Sequence, residues 1–217
     1  MAQSRSKLWF AALAILATSC KSPTTQPQGG VGSHLSETDA TAAQTGRPEI
    51  VARFNIAKGG DVILLPVHFK NQDYQFVLDT GATISIFDTS LPLGKPKKSA
   101  SADTPGGKMD LQLYARPDAS FANFPLKGVK RVAGFDFEQI RQVSGHPIYG
   151  VIGMDFLAGR VLQIDFDRGE LLFLKSADSF AGKAFPINYR IGTPHVSAEF
   201  FGKTHSFTID TGYSGYS

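Results

Sequence analysis

The sequence is poor in cysteine, tryptophan, methionine and charge. A single Cys in 217 residues excludes an internal disulfide and a Cys-based zinc site. Charged residues are only 19%, with 22 Lys+Arg against 19 Asp+Glu for a formal +3. Arg5 and Lys7 lie in a leader segment, and setting them aside leaves +1, so charge makes no case for nucleic acid. Long apolar runs are also scarce. The conspicuous one, Leu8 to Ala17, has ten residues, too few to span a bilayer comfortably. Hydrophobic residues at 42% are enough for a packed core and exclude wholesale disorder. The 22 Gly and 17 Phe, with few helical patterns, predict a mainly β fold of one domain, or of one domain plus part of a second.

Arg5 and Lys7 ahead of the ten-residue apolar run have the form of an export signal. The run Leu16-Ala17-Thr18-Ser19-Cys20 resembles the lipobox of bacterial lipoproteins, with Leu one place early. That resemblance implies lipidation at Cys20 and, with Lys21 next to it, an outer-membrane lipoprotein facing the periplasm. Residues 21–48 are rich in Ser, Thr, Pro, Gln and Gly and hold no aromatic residue. They are expected to form a disordered tether, which as a flexible coil spans roughly 30 Å.

From Glu49 the texture becomes that of strands. Val62 to Phe69 and Tyr74 to Leu78 predict a hairpin about the turn residues Asn71-Gln72-Asp73. Ile84 to Phe87 predicts a short strand, and Arg160 to Leu174 a second hairpin. Thr104-Pro105-Gly106-Gly107-Lys108 predicts a turn between extended segments. One short helical turn is expected near Asp155. Phe121, Phe124, Phe135 and Phe137 are expected in the core.

The chain repeats itself. Phe76-Val77-Leu78-Asp79-Thr80-Gly81 recurs 131 residues later as Phe207-Thr208-Ile209-Asp210-Thr211-Gly212. The preceding hairpin recurs at the same offset, Phe69 matching Phe200 and Asn71 matching Gly202. One Asp-Thr-Gly is a common turn, whereas two copies, each ending an apolar strand, point to a paired function. Two such carboxylates face to face resist joint ionisation and hold one proton between them. The ionised one can act as general base on water and the protonated one as general acid. Thr80 and Thr211 would fix the spacing, and Gly81 and Gly212 would let backbone N–H groups approach the acids.

The duplicated motif resembles the aspartic peptidase superfamily that includes retroviral proteases and pepsin, and most closely its bacterial exported retropepsin-like group. Val77-Leu78-Asp79-Thr80-Gly81-Ala82-Thr83 carries the resemblance, with the apolar-apolar-Gly triplet Val151-Ile152-Gly153 and the hairpin Arg160 to Leu174. It implies a closed retropepsin-like β-barrel lobe over residues 49–176. In it, Val151, Ile152 and Gly153 thread behind the catalytic loop to complete a ψ-shaped crossing, and a flap is tipped at Gly106 and Gly107. It further implies catalytic Asp79 and Asp210, a peptide or unfolded-protein substrate, no cofactor and no metal. A homodimer pairing Asp79 with its symmetry mate is an alternative, and a non-catalytic peptide-binding protein is another. The second copy departs from the first with Tyr213 in place of Ala82. Seven residues follow Asp210, against 74 from Asp79 to Gly153, so residues 177–217 have the form of the opening of a second, incomplete lobe.

Other signals are weaker. Gly212-Tyr213-Ser214-Gly215 lacks the spacing of a nucleophile elbow. The five His show no metal-ligand spacing, and no glycine pattern matches a phosphate-binding loop. Lys95-Pro96-Lys97-Lys98 is expected to be a solvated loop.

Overall fold

The computed structural model describes residues 48–58, 62–104, 107–121, 124–177 and 183–212. Cys20, nearly all of the expected tether and Gly106 lie outside them. The described residues form a mainly β protein with fifteen strands and two short helices.

A nine-stranded sheet carries most of the structure. Its strands are β2 (Leu64–Phe69), β3 (Gln72–Leu78), β4 (Ile86–Asp88), β5 (Lys98–Thr104), β6 (Gly107–Ala115), β7 (Ala119–Phe121), β8 (Phe124–Pro125), β9 (Arg131–Phe135) and β10 (Ile148–Ile152). Across the sheet they run β5-β6-β9-β4-β10-β3-β2-β7-β8. A separate three-stranded sheet has β12 (Glu170–Leu174) between β1 (Ile50–Asn55) and β11 (Val161–Asp165). A third comprises β13 (Asn188–Arg190), β14 (Thr193–Phe200) and β15 (Lys203–Thr208).

Among the described residues the expected closed barrel is not found. The outer strands β5 and β8 of the large sheet do not pair with each other, and the β1–β12–β11 sheet makes no ladder with it. The two are joined by packing instead. Phe54 of β1 stacks on Phe121 at 4.9 Å, and Phe173 of β12 meets Phe121 at 5.2 Å. Apolar side chains close the lobe where backbone pairing does not, each fully buried Phe contributing roughly 1.5–3 kcal/mol. Phe121 and Phe137 are fully buried as expected, and Phe124 and Phe135 pack against the core half-buried.

The centre of the large sheet explains the apolar runs of the sequence. Strand β10 lies between β3 and β4, parallel to β3 (Val151 opposite Val77, Ile152 opposite Leu78) and antiparallel to β4. A late strand thus passes between two that follow each other in the chain. Phe76, Leu78 and Ile152 face the larger apolar cluster, and Val77 and Val151 the smaller one. Both faces are buried, so neither strand alternates with polar residues.

Boundaries differ in places from those expected. The β2–β3 turn falls on Lys70 and Asn71, both with positive φ (51° and 61°), one residue before the predicted turn. A two-residue hairpin with positive φ at both positions matches the twist of its strands, and Asn tolerates it well. The β14–β15 turn repeats it at Phe201 and Gly202 (φ 50° and 69°). The expected helical turn is α2 (Met154–Leu157). The other helix, α1 (Glu138–Ser144), was not expected; it buries none of its residues, so it leaves no apolar stripe to detect.

Helix α1 is held by a buried ion pair. Asp88 is fully buried and accepts from Ser90 N–H (2.7 Å), Phe137 N–H (3.1 Å) and the Arg141 guanidinium. Burial alone would raise its carboxyl; the hydrogen bonds from Ser90, Arg141 and Phe137 outweigh that and hold it below the usual carboxylate range. Arg141 also donates to Ile148 O at 3.0 Å and stacks over Tyr149, tying the helix to the start of β10. Asp88→Ala should therefore destabilise the fold by about 3–5 kcal/mol, because it leaves a guanidinium poorly paired. Urea unfolding at neutral pH measures this, and Asp88→Ala with Arg141→Met should recover much of the loss.

Candidate functional site

The two Asp-Thr-Gly loops meet. Each follows the second strand of a hairpin, Asp79 after β3 and Asp210 after β15. The duplication is structural down to single bonds: Leu78 N–H donates to Ile63 O at 2.9 Å, and Ile209 N–H to Pro194 O at 2.9 Å, both partners shifted by 131 residues.

Hydrogen bonds cross between the loops in two symmetric pairs. Thr80 N–H donates to Thr211 Oγ1 (3.1 Å) and Thr211 N–H to Thr80 Oγ1 (3.1 Å). The Thr80 hydroxyl donates to Ile209 O (2.6 Å) and the Thr211 hydroxyl to Leu78 O (2.8 Å). Each hydroxyl is donor and acceptor at once. Exchange of one loop for the other leaves the pattern unchanged, which defines a local pseudo-two-fold axis.

Gly81 and Gly212 lie where no side chain fits. A Cβ on Gly81 would come 2.5 Å from the Asp210 carboxyl oxygen Oδ2, and one on Gly212 within 2.6 Å of Asp79 Oδ2. Each acid thus lies against the glycine of the opposite loop. Asp79 Oδ1 accepts from Gly81 N–H (2.7 Å) and Ala82 N–H (3.0 Å), and Asp210 Oδ1 from Gly212 N–H (2.9 Å).

The surroundings of the acids are not equal. Asp79 is fully buried, Asp210 half-buried. Burial, then repulsion from the Asp210 carboxylate, pushes the Asp79 carboxyl from 3.8 up to about 8, against the N–H groups of Gly81 and Ala82 that favour the anion. Asp79 Oδ2 is buried with no hydrogen-bond partner among the described residues. This environment favours the protonated form of the carboxyl.

Val151 and Ile152 are fully buried behind the Asp79 loop, and Asp79 N–H donates to Ile152 O at 3.0 Å. Gly153 passes so close that a Cβ would lie 2.8 Å from the carbonyl carbon of Ile84 and 2.9 Å from Ala82 O. Met154 N–H donates to Ala82 O at 2.8 Å. Gly107 opens β6 opposite Thr104 of β5, with which β6 pairs antiparallel. Ala102 and Leu111 of that hairpin are buried in the same cluster as Ala82.

Two residues of this site were missed from the sequence. Ser85 is fully buried, and its N–H and hydroxyl both donate to Asp155 Oδ1 (2.9 and 2.6 Å). A lone Ser between Ile84 and Ile86 was the available signal, since a buried hydroxyl requires a partner.

Among the described residues the second copy is less enclosed than the first. Phe69, Phe76 and Leu78 are at most 2% exposed, whereas their counterparts Phe200, Phe207 and Ile209 are 57%, 46% and 36% exposed. Among the described residues no strand pairs with the outer edge of β15.

The raised Asp79 carboxyl gives stability a definite pH dependence. The folded state keeps a proton that the unfolded chain releases, so this contribution is fully present below about pH 3.8 and is lost as pH rises to about 8. Urea midpoints should fall across that window through Asp79, and Asp79→Asn should flatten the fall. A wild-type curve that rises through it, with Asp79→Asn removing the rise, would mean an ionised Asp79 in the fold.

No protein-family model matches the chain and no curated protein matches it, so its chemistry rests on the geometry of the site itself.

Proposed function

We propose that the protein is an aspartic endopeptidase-like hydrolase, with residues 49–176 as a retropepsin-like lobe and Asp79 and Asp210 as its catalytic pair. The observation that carries the reading is the reciprocal hydrogen bonding of Thr80 and Thr211, which sets two carboxyl groups face to face.

A water molecule between the acids would attack the scissile carbonyl carbon. Asp210, the more exposed carboxylate, takes the proton that the water loses. Asp79, protonated up to about pH 8, donates its hydrogen bond and then its proton to the carbonyl oxygen. The tetrahedral diol collapses as its nitrogen takes the proton held by Asp210, a diol hydroxyl returns a proton to Asp79, and the C–N bond breaks. No covalent enzyme intermediate forms. The peptide lies extended, in backbone hydrogen bonds to the β5–β6 hairpin as flap.

The acids pair within one chain. The Asp79 loop is already engaged by the Asp210 loop, which favours this pairing over a homodimer through the first lobe. A second reading, peptide binding without cleavage, draws on the unequal support of the two acids. Strand β10 backs the Asp79 loop, and no counterpart backs Asp210 among the described residues. Export and an outer-membrane lipid anchor at Cys20 belong to the same proposal.

Cleavage of a denatured protein substrate separates the readings. The wild type should cut, with activity falling as pH rises through about 8 and Asp79 loses its proton. Asp79→Asn and Asp210→Asn should each abolish cutting. Thr80→Val should lower kcat at least tenfold and Thr80→Ser far less, since Ser keeps the bridging hydroxyl. Activity that survives Asp79→Asn removes the peptidase reading, and tight peptide binding without cleavage favours the second one.

Lipidation has its own test. The full chain, expressed in a bacterial host, should take up radiolabelled palmitate and fractionate with membranes, and Cys20→Ser should lose the label. Label that persists in Cys20→Ser would overturn the anchor.

A further inference from the structure

The Asp79 loop is fixed on one side by Thr211. On the other it runs from Ala82 into β4 and must keep a set height against Gly153. Strand pairing cannot do this, because the chain there is neither β3 nor β4. Three side-chain hydrogen bonds fill the gap. Asp155 Oδ1 accepts from both Ser85 N–H (2.9 Å) and Ser85 Oγ–H (2.6 Å), and Ser85 Oγ accepts from Gly153 N–H (3.1 Å). With Met154 N–H to Ala82 O and Asp79 N–H to Ile152 O, they close a ring joining residues 79–85 to residues 152–155.

We propose that Asp155, through Ser85, is a positioning residue for the Asp79 loop, holding Ala82 so that its N–H stays directed at Asp79 Oδ1. The proposal rests on the peptidase reading for its kinetic consequence, while the geometric consequence stands without it. The ring encloses the position where a Cβ on Gly153 would lie within 2.9 Å of the backbone of Ala82 and Ile84, so a small shift at Ser85 reaches the loop directly. Burial raises the Asp155 carboxyl, and the Ser85 hydroxyl and N–H oppose that rise, so the group's solvation is replaced largely by Ser85. Asp155 touches neither Asp79 nor Asp210 in any hydrogen bond or ion pair found among the described residues.

The role separates from a purely structural one by two readouts, the titration of Asp79 followed by carboxyl carbon NMR and the kcat and KM of cleavage. Asp155→Ala should release Ala82 N–H from Asp79 Oδ1. With one anion-favouring donor lost, Asp79 should titrate higher than in the wild type, and kcat should fall about tenfold or more with KM little changed. Asp155→Asn keeps the Oδ1 acceptor and should restore both values towards wild type. A carboxylate acting through its charge would instead make Asn shift Asp79 downward. Should Asp155→Ala not fold, Ser85→Ala carries the same test, with a smaller shift in the same direction and rescue by Ser85→Thr. Folded variants with unchanged Asp79 titration and unchanged kcat overturn the proposal, as does an Asn variant as impaired as Ala. If the wild type does not cleave, the peptidase reading fails while the titration arm still decides the positioning role.

Discussion

Everything that distinguishes this site depends on two threonine hydroxyls, each giving one hydrogen bond and receiving another across a pseudo-two-fold axis. A hydroxyl can do both because it carries one donor and two acceptor positions. Valine has the same shape and neither function; serine has the function and less of the shape. The arrangement opposes a real repulsion. Burial, and then the neighbouring Asp210 carboxylate, push the Asp79 carboxyl up to about 8, so the loops must be held together against the cost of burying two acids side by side. Buried hydrogen bonds contribute about 1 kcal/mol each, and those that cross between the loops oppose that cost together.

The parts of this design that were legible in the sequence are those written in local pattern. The β2–β3 and β11–β12 hairpins follow from apolar runs around turn residues, and the paired loops follow from a repeat of six residues. The repeat was informative because it joined strand, turn and acid in the same order twice. The closed barrel was expected from resemblance and is absent among the described residues, because closure depends on whether β5 and β8 find each other, and that is a property of the whole sheet. Packing of Phe54, Phe121 and Phe173 joins the sheets instead. Helix α1 was illegible for a different reason. It is held by Arg141 to Asp88, a pair 53 residues apart, and not by an apolar stripe.

Gly153 illustrates how far a short motif can be taken. An apolar pair followed by glycine says that a backbone approaches closely there, and the approach is to Ala82 and Ile84. It does not say what sets the approach distance. That is left to Ser85 and Asp155, 70 residues apart in sequence, and only the buried Ser between two Ile residues hinted at it. Long-range polar pairs are recognisable from one end as an unexplained buried group, while the identity of the partner comes from the fold.

The two halves of the pair stand on unequal foundations, and this decides how the site is held. Asp79 sits on a strand buried on both faces, in the middle of a nine-stranded sheet. Asp210 ends a strand at the edge of a three-stranded sheet whose apolar residues, Phe200, Phe207 and Ile209, are open to solvent. A small sheet without a covered apolar face is marginal by itself. The contacts that fix the Asp210 loop are therefore chiefly those it makes with the first loop, Thr211 with Leu78 O and Thr80, and Ile209 O with Thr80. Loosening of Thr80 should then disturb Asp210 more than Asp79, because Asp79 retains β10 behind it and Asp210, among the described residues, retains only its own hairpin.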